Sequence, residues 1–471
     1  MELCSSTIPE LLEQTIVQFG NRVAVKACGE QYTWREIGIL SDTVARKLAQ
    51  RGVVEGAHVG LWGGNDLNWM LTFLAILKLK AIAVLINNKY TKHELAGILK
   101  LSNIEWLCIG SCTIIENEVT LDQIEKISGI ETDQVIDIRY PLPLYRTWLA
   151  EPHDVQIYNR NGNSRALCCL MFTSGSSAQP KCVMISHYSL VNNAISMAEK
   201  LGLRDTDIVC LAVPLFHIFG LCVNFLASMY MGASVAVPGG QKSTQILQCI
   251  QNYKCSILNG VPTSYLALIH SPQFLPEHIG SLRLGVMGGA PLLAHQMDKL
   301  QAALPGMELM INYGQTEGAC ISNTEHGDTI ERLSSTVGRP LPHISVAVED
   351  PMTGHRLVNG QIGELVVTGY NVMQGLYPPS TEQHVIDKHG WLHTEDLGTI
   401  DENGYISIVG RKKEIIIRGG EDITPREIEN ALIEFDEISD VKVFGIPHEI
   451  LGEQVIACVI PQKGVVCEEA K

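Results

Sequence analysis

The sequence predicts an α/β protein in two parts. The first is a large N-terminal domain of two βα subdomains plus a small β-barrel-like unit. The second is a small α+β C-terminal lid domain, truncated as it stands. Three observations carry this reading. Strand-length apolar runs alternate with helix-length amphipathic segments from Val23 to Ile109, and again from Tyr188 to Met287, as βα units over parallel sheets require. From about Val337 the strands come closer together and are joined by turn residues. Gly410-Arg411-Lys412-Lys413 then forms a basic knot, which we take as the boundary between residues 1–410 and 411–471.

Taken in order, Ile8–Phe19 has the periodicity of an amphipathic helix and Val23–Lys26 that of a short strand. Thr33 is placed to cap a helix running to about Gln50, with Glu36 completing a capping box. His58–Trp62, Ile82–Ile86 and Glu105–Ile109 follow as strands, alternating with helices Asn65–Leu79 and Glu94–Leu101. In the second series Tyr188–Lys200, Thr244–Asn252 and Thr263–Ile269 are helices, and Ile208–Val213, Ser256–Asn259 and Leu284–Met287 are strands. Pro291 suits the first turn of the next helix. Val346–Asp350, Gly363–Thr368, Leu397–Ile400 and Tyr405–Ile408 form the small β unit, with Asp401-Glu402-Asn403-Gly404 as a hairpin turn. The last unit holds strands Glu414–Ile417 and Asp440–Phe444 around a helix Pro425–Phe435 capped by Thr424, and Glu468-Glu469-Ala470 opens a further helix.

Composition narrows the function. In 471 residues, 46% are hydrophobic and 18% charged, as in a globular protein of more than one unit. A net charge of −16 excludes nucleic acid as a general partner and a polybasic membrane anchor, so a substrate anion must meet local positive charge. Ile208–Val237 carries no charged residue and is long enough to span a bilayer. Pro214, His217, Gly220, Asn224 and Gly232 interrupt it, so we expect buried strand, loop, helix and strand with no transmembrane segment. The 14 cysteines show no zinc-finger spacing; Cys108 and Cys112 come nearest, without a second pair. They read as small buried hydrophobes in a reducing compartment, and MELCSSTIPELLEQ has no secretory pattern, which together predict a cytoplasmic protein.

The stretch that organises the rest is Met171–His187, MFTSGSSAQPKCVMISH. An apolar run leads into Thr173-Ser174-Gly175-Ser176-Ser177-Ala178, and another follows Lys181: strand, small-residue loop, strand. Hydroxyls and unhindered N–H groups in such a loop can wrap a polyphosphate, with one lysine as counter-charge. An ordinary polar β-turn has the same composition, and the G-x-x-x-x-G-K-[ST] pattern is absent.

Four further stretches decide between them: Gly288-Gly289-Ala290-Pro291, Tyr313-Gly314-Gln315-Thr316-Glu317, Leu392-His393-Thr394-Glu395-Asp396-Leu397-Gly398, and Gly410–Gly420. In this order the five resemble the adenylate-forming superfamily of acyl-CoA synthetases, peptide-synthetase adenylation domains and luciferases. Ser186–Asn193 and Ile417-Arg418-Gly419-Gly420-Glu421-Asp422 are most similar to medium-chain fatty-acyl-CoA synthetases. The resemblance implies an AMP-dependent acid:CoA ligase working in two steps. A carboxylate attacks the α-phosphate of ATP to give acyl-adenylate and pyrophosphate, and the thiol of CoA then displaces AMP. A carrier protein as thiol acceptor, or an adenylate-binding protein without catalysis, are the competing readings.

By the same resemblance Thr173, Ser174, Gly175, Ser176, Ser177 and Lys181 hold the outer phosphates, and Glu317 binds Mg²⁺. Thr316 sits at the α-phosphate. Gly289, Ala290 and Pro291 sandwich the adenine against Asn312, Tyr313 and Gly314. Asp396 accepts from the ribose hydroxyls, as an acceptor-only carboxylate can. Arg411 contacts ribose or phosphate, and Lys413 occupies the hinge of the lid. His217, in Pro214–Gly220, lines the acyl pocket and the thiol path, with Val261, Gly288 and Cys320 completing a mostly apolar pocket for an aliphatic or aryl acid.

Two departures from the family pattern matter. Ala178 and Cys182 stand where the phosphate loop usually carries glycine. The family's adenylation lysine, in a Gly-Lys motif late in the lid, has no counterpart here, so this chain is expected to bind ATP but to adenylate poorly.

Overall fold

A computed structural model describes residues 2–111, 130–151, 162–173, 180–290, 292, 294–379, 385–418, 421–433, 435, 437–448, 451–462 and 464–465. The architecture is mixed α/β, with two large, mainly parallel sheets, a small antiparallel sheet, and a C-terminal unit of antiparallel strands around one helix.

The first large sheet runs, in spatial order, Gly375–Tyr377, Lys181–Ser186, Leu167–Thr173, Ile82–Ile86, His58–Trp62, Trp106–Ile109, Val135–Asp137. Its last five strands are parallel, and Leu167–Thr173 and Lys181–Ser186 form an antiparallel hairpin. Every residue of His58–Trp62 is buried, as expected of a strand covered on both faces. The second sheet has nine strands: Arg339–Pro340, Ala319–Asn323, Glu308–Gln315, Leu284–Gly288, Ile257–Gly260, Ile208–Cys210, Ser234–Ala236, Val23–Ala27, Glu30–Thr33.

Local signals in the sequence fix many boundaries. The Ile8–Phe19 helix lies where the periodicity places it, behind a capping box of Thr7 and Glu10. Thr33 caps Trp34–Arg51, with Thr33 Oγ1 accepting from the Glu36 N–H at 3.2 Å and Glu36 returning a contact to the Thr33 N–H at 2.7 Å. Such a cap contributes about 1 kcal/mol. Asp66 caps Leu67–Lys78 without the reciprocal contact, its Oδ1 accepting from the Trp69 N–H at 2.7 Å.

Non-local pairing departs from expectation. Val23–Ala27 belongs not to the sheet of the βα units that follow it but to the second sheet, parallel to Ser234–Ala236. The N-terminal segment explains this. The Cys4 N–H donates to Asn192 Oδ1, the Ile8 N–H to His187 Nδ1, and the Thr15 hydroxyl to the Met229 carbonyl, all within the second unit. Glu308–Gln315, Ala319–Asn323, Leu142–Ala150 and Ile330–Ser335 are elements that the periodicity did not reveal.

The uncharged stretch Ile208–Val237 folds as strand, loop, helix and strand. A π-helical segment Phe219–Leu226 continues into Ala227–Met231, buried throughout except for the half-buried Phe219, Tyr230 and Met231. Among the described residues no helix is long and apolar enough to cross a membrane.

The small β unit is a four-stranded antiparallel sheet, Ile344–Glu349, Gly363–Gly369, Leu392–Ile400, Ile406–Arg411, and Asp401–Gly404 turns its last hairpin. Leu392–Ile400 is longer than expected: it starts five residues before Leu397, so His393–Asp396 lie on a strand and not in a loop. The C-terminal unit pairs Ile438–His448 with Gly452–Pro461 and packs Pro425–Ile433 over Ile416, Val441 and Val443. Glu468–Ala470 lie outside the described residues.

Candidate active site

Three parallel strands of the second sheet, Ile257–Gly260, Leu284–Gly288 and Glu308–Gln315, end on one edge, with Gly260 beside Met287 and Gly288 beside Asn312. Ligand sites of α/β sheets form outside such carboxyl ends. Here a crevice of about 400 Å³ is walled by Gly289, Ala290, Asn312, Tyr313 and Gly314 on the sheet side. Gly289 sits at φ +79°, a conformation that glycine adopts without a Cβ penalty. A Cβ at Gly314 would stand 2.1 Å from the Ala319 carbonyl oxygen, so this turn closes only around a glycine.

The opposite wall comes from the small β unit. Asp396 and Arg411 are cross-strand partners in its last hairpin, which sets their side chains together. Arg411 Nε donates to Asp396 Oδ1 at 3.1 Å, and the Tyr313 hydroxyl donates to Oδ2 at 2.7 Å. Asp396 is 5% exposed. Burial raises its pKa, while the Tyr313 hydrogen bond and the Arg411 charge work against that rise. Burial and the Asp396 charge together push the Tyr313 phenol up, keeping it a donor. The result is a carboxylate with both oxygens already held, facing a crevice.

Thr316, Glu317 and Gly318 form the turn between Glu308–Gln315 and Ala319–Asn323, where Gln315 pairs with Ala319. The Gly318 N–H donates to the Gln315 carbonyl at 3.1 Å, the Met373 N–H to the Glu317 carbonyl at 2.9 Å, and Asn371 Nδ2 to the Gly318 carbonyl at 2.5 Å. Behind it, Asn193 clamps Cys320 through both its amide atoms. The turn is therefore rigid, and its Glu317 side chain is buried. Desolvation raises the Glu317 pKa, and the positive charges of Lys181 and Arg411 oppose it. Those two cations and this carboxylate thus share one electrostatic neighbourhood.

Thr173 and Lys181 face each other as the last pair of the Leu167–Thr173 and Lys181–Ser186 hairpin. Thr173 Oγ1 is buried, with no hydrogen-bond partner among the described residues. Ser174, Gly175, Ser176 and Ser177, as well as Pro291, lie outside the described residues. Lys413 stands in the 3₁₀ turn Lys412–Glu414 and pairs with Glu395 at 2.8 Å, while Lys412 pairs with Glu364 at 3.0 Å. Burial pushes the Glu395 pKa up, but Lys413, Lys181 and Arg411 outweigh it and the net shift is down.

His217 stands apart. It is solvent-exposed, its ring centroid lies 4.5 Å from that of Phe216, and it does not line the crevice of Gly289 and Asp396. The surrounding protein and the charge of Lys89 lower its pKa. Val261 adjoins Gly289, with its Cγ1 3.6 Å from where a Cβ would be, and Gly288 and Cys320 are buried beside the same strand ends.

Sequence reasoning missed the third wall. Pro425, Arg426, Glu429 and Lys442 of the C-terminal unit close the crevice from above. Arg426 Nη1 donates to the Ile408 carbonyl at 3.0 Å, tying the lid helix to the small β sheet, and Glu429 pairs with Lys442 at 3.1 Å. The Thr424-Pro425 helix start was the available signal, but it locates the helix without saying what the helix covers.

Residues 12–377 match the family model described as AMP-binding enzyme, and residues 427–471 match the AMP-binding enzyme C-terminal domain. The chain belongs to the AMP-binding enzymes. It is 32% identical to a putative acyl-CoA synthetase, YngI, of Bacillus subtilis, over 97% of this chain and 88% of that protein. It is 29% identical to the mitochondrial medium-chain acyl-CoA ligase ACSF2 of Danio rerio, over 100% of this chain and 82% of that protein. Its fold superposes on crystalline ATP-bound MatB of Rhodopseudomonas palustris with a TM-score of 0.86 at 26% identity, covering 98% of this chain and 90% of MatB. The protein is accordingly an adenylate-forming enzyme of the AMP-forming acyl-CoA ligase class, which uses ATP.

Proposed function

We propose that the protein activates a fatty or aryl carboxylic acid through an acyl-adenylate and passes the acyl group to CoA. The observation that carries this is the Tyr313–Asp396–Arg411 cluster on the wall of the crevice at the strand ends. An ionised carboxylate with both oxygens positioned but spare lone pairs is built to accept from a vicinal diol. In this reading Asp396 takes the ribose hydroxyls. Gly289, Ala290 and Pro291 face Asn312, Tyr313 and Gly314 across the adenine. Arg411 reaches ribose or phosphate.

Phosphoryl transfer of this kind asks for positioning and charge neutralisation more than covalent help. Thr173, Ser174, Gly175, Ser176, Ser177 and Lys181 would hold the β- and γ-phosphates, and the buried Thr173 hydroxyl, without a partner among the described residues, fits such a ligand. Thr316 would direct the α-phosphate. Glu317 fits Mg²⁺: it is a buried carboxylate whose desolvation a hard cation would offset. When bound, Mg²⁺ supplies neutralisation of the phosphate charge. The substrate carboxylate oxygen then attacks the α-phosphorus, the α–β phosphoanhydride bond breaks and pyrophosphate leaves. In the second step the CoA thiolate attacks the acyl carbon and AMP leaves.

His217, Val261, Gly288 and Cys320 would line the acyl and thiol side. The absence of a carboxylate among them favours an aliphatic or aryl acid over an amino acid. Residues 1–410 and 411–471 form the two moving bodies in this reading, with Lys413 at the hinge, and the lid rotates between the two half-reactions.

The experiment is pyrophosphate release across aliphatic, aryl and amino acids, followed by AMP release with CoA or with a phosphopantetheinylated carrier. Acid-dependent release that CoA completes supports the reading. Transfer only to the carrier replaces the acceptor, and ATP binding with no acid-dependent release defeats it.

A further inference from the structure

Twelve described cysteines are free thiols, and most are dispersed through the cores as small hydrophobes. Three are not dispersed. The sulfurs of Cys210, Cys249 and Cys255 all lie within 4.8 Å of one another, and the residues are 0%, 4% and 0% exposed. Among the described residues no other group of three Cys, His, Asp or Glu brings its ligand atoms together in this way.

The backbone builds the cluster from three elements. Cys210 ends the strand Ile208–Cys210, between Ala236 and Leu258 of the flanking strands. Cys249 comes from the helix Ser243–Tyr253 packed over that sheet. Lys254 caps the helix at φ +55°, and this left-handed turn, with the Cys255 N–H bonded back to the Ile250 carbonyl at 3.2 Å, returns Cys255 beneath Cys249.

We propose that Cys210, Cys249 and Cys255 form a three-sulfur site for one thiophilic d¹⁰ cation, Cu⁺ or Zn²⁺. The ion staples the helix Ser243–Tyr253 to the second sheet. Sulfur–metal bonds of about 2.3 Å in a trigonal plane put the sulfurs about 4.0 Å apart, within the observed spread. A disulfide would need two sulfurs at about 2.05 Å and would leave the third idle. Soft thiolates select such ions over the hard cation proposed at Glu317.

Closure from solvent suits three-coordinate Cu⁺; Zn²⁺ would need a fourth ligand such as water. Binding displaces thiol protons, so affinity should rise with pH.

The test uses the full chain with Cys28, Cys112, Cys458 and Cys467 changed to Ser, stripped of metal under reducing conditions. It is titrated separately with Cu⁺ and Zn²⁺. One equivalent of either ion, retained through gel filtration and raising Tm, is expected, and which ion binds tighter identifies it. Cys249→Ser and Cys255→Ala should each weaken binding by about tenfold or more. X-ray absorption on the metal-loaded protein should report three sulfur ligands, a readout that does not depend on those variants folding. No stoichiometric binding, undiminished binding in either folded variant, oxygen or nitrogen ligands in place of sulfur, or a Cys249–Cys255 disulfide in place of metal would overturn the proposal.

Discussion

The Tyr313 hydroxyl donates to Asp396 Oδ2 at 2.7 Å, joining the end of a parallel-sheet strand to the hairpin of a separate antiparallel unit. This contact holds the carboxylate that we assign to ribose. Tyr313→Phe should raise KM for ATP several-fold, as loss of one hydrogen bond of about 1 kcal/mol predicts. It also removes an influence that lowers the Asp396 pKa, so the acid limb of the pH profile should move to higher pH. Asp396→Ala should cost more, roughly 10–100-fold in ATP affinity, because Tyr313 and Arg411 lose their acceptor as well.

Glu317 and Lys181 are coupled through space. Glu317→Gln should reduce pyrophosphate release by about 10²-fold and flatten its Mg²⁺ dependence. Lys181→Met leaves Glu317 in place but removes a charge that lowers its pKa. Ionised Glu317 would then persist only to a less acidic pH, so kcat/KM should fall at higher pH than in the parent. An unchanged acid limb, measured by a pH series, would separate the two residues.

Two glycines of the crevice should differ in their tolerance of alanine. At Gly314 a Cβ would meet the Ala319 carbonyl at 2.1 Å, and the turn carrying Thr316 and Glu317 must shift. Gly314→Ala is expected to lower stability by about 2 kcal/mol or more and to abolish most activity. At Gly289 the nearest atom is 3.6 Å away and only the φ of +79° is penalised, so Gly289→Ala should cost about 1 kcal/mol. Denaturant midpoints compare them.

His187 links stability to pH. It is buried, accepts the Ile8 N–H at 3.3 Å, and burial pushes its pKa down to about 4. The folded value lies below the unfolded value near 6.5, so its contribution is present above 6.5 and lost as pH falls towards 4. The loss should amount to about 2–3 kcal/mol. His187→Gln keeps an acceptor without titrating, so its Tm should fall less than the parent's between pH 7 and 4.5. A parallel fall in both would contradict the assignment.

Much of this was legible in the sequence, for reasons particular residues make plain. A capping residue such as Thr33 acts on a neighbour three positions away, so that helix start could be read directly. The alternation of βα units marked the strand end at Gly288, though not the strand Glu308–Gln315 beside it. What stayed hidden depends on distant partners. Val23–Ala27 joins the far sheet because the N-terminal helix docks beside His187 and Met229, which no local window contains. Arg426 meets the Ile408 carbonyl, and the three sulfurs of Cys210, Cys249 and Cys255 converge, only once the chain has folded.

The central claim is that a substrate carboxylate attacks the α-phosphorus of ATP beside the crevice that Asp396 lines, with Glu317 on the neighbouring turn. Incubating the protein with ATP, Mg²⁺, CoA and a medium-chain or aryl acid labelled with ¹⁸O in its carboxylate tests this most directly. The account predicts AMP carrying one ¹⁸O from the acid, acyl-CoA keeping the other in its thioester carbonyl, and unlabelled pyrophosphate. Unlabelled AMP, or label appearing in pyrophosphate or inorganic phosphate, would contradict it.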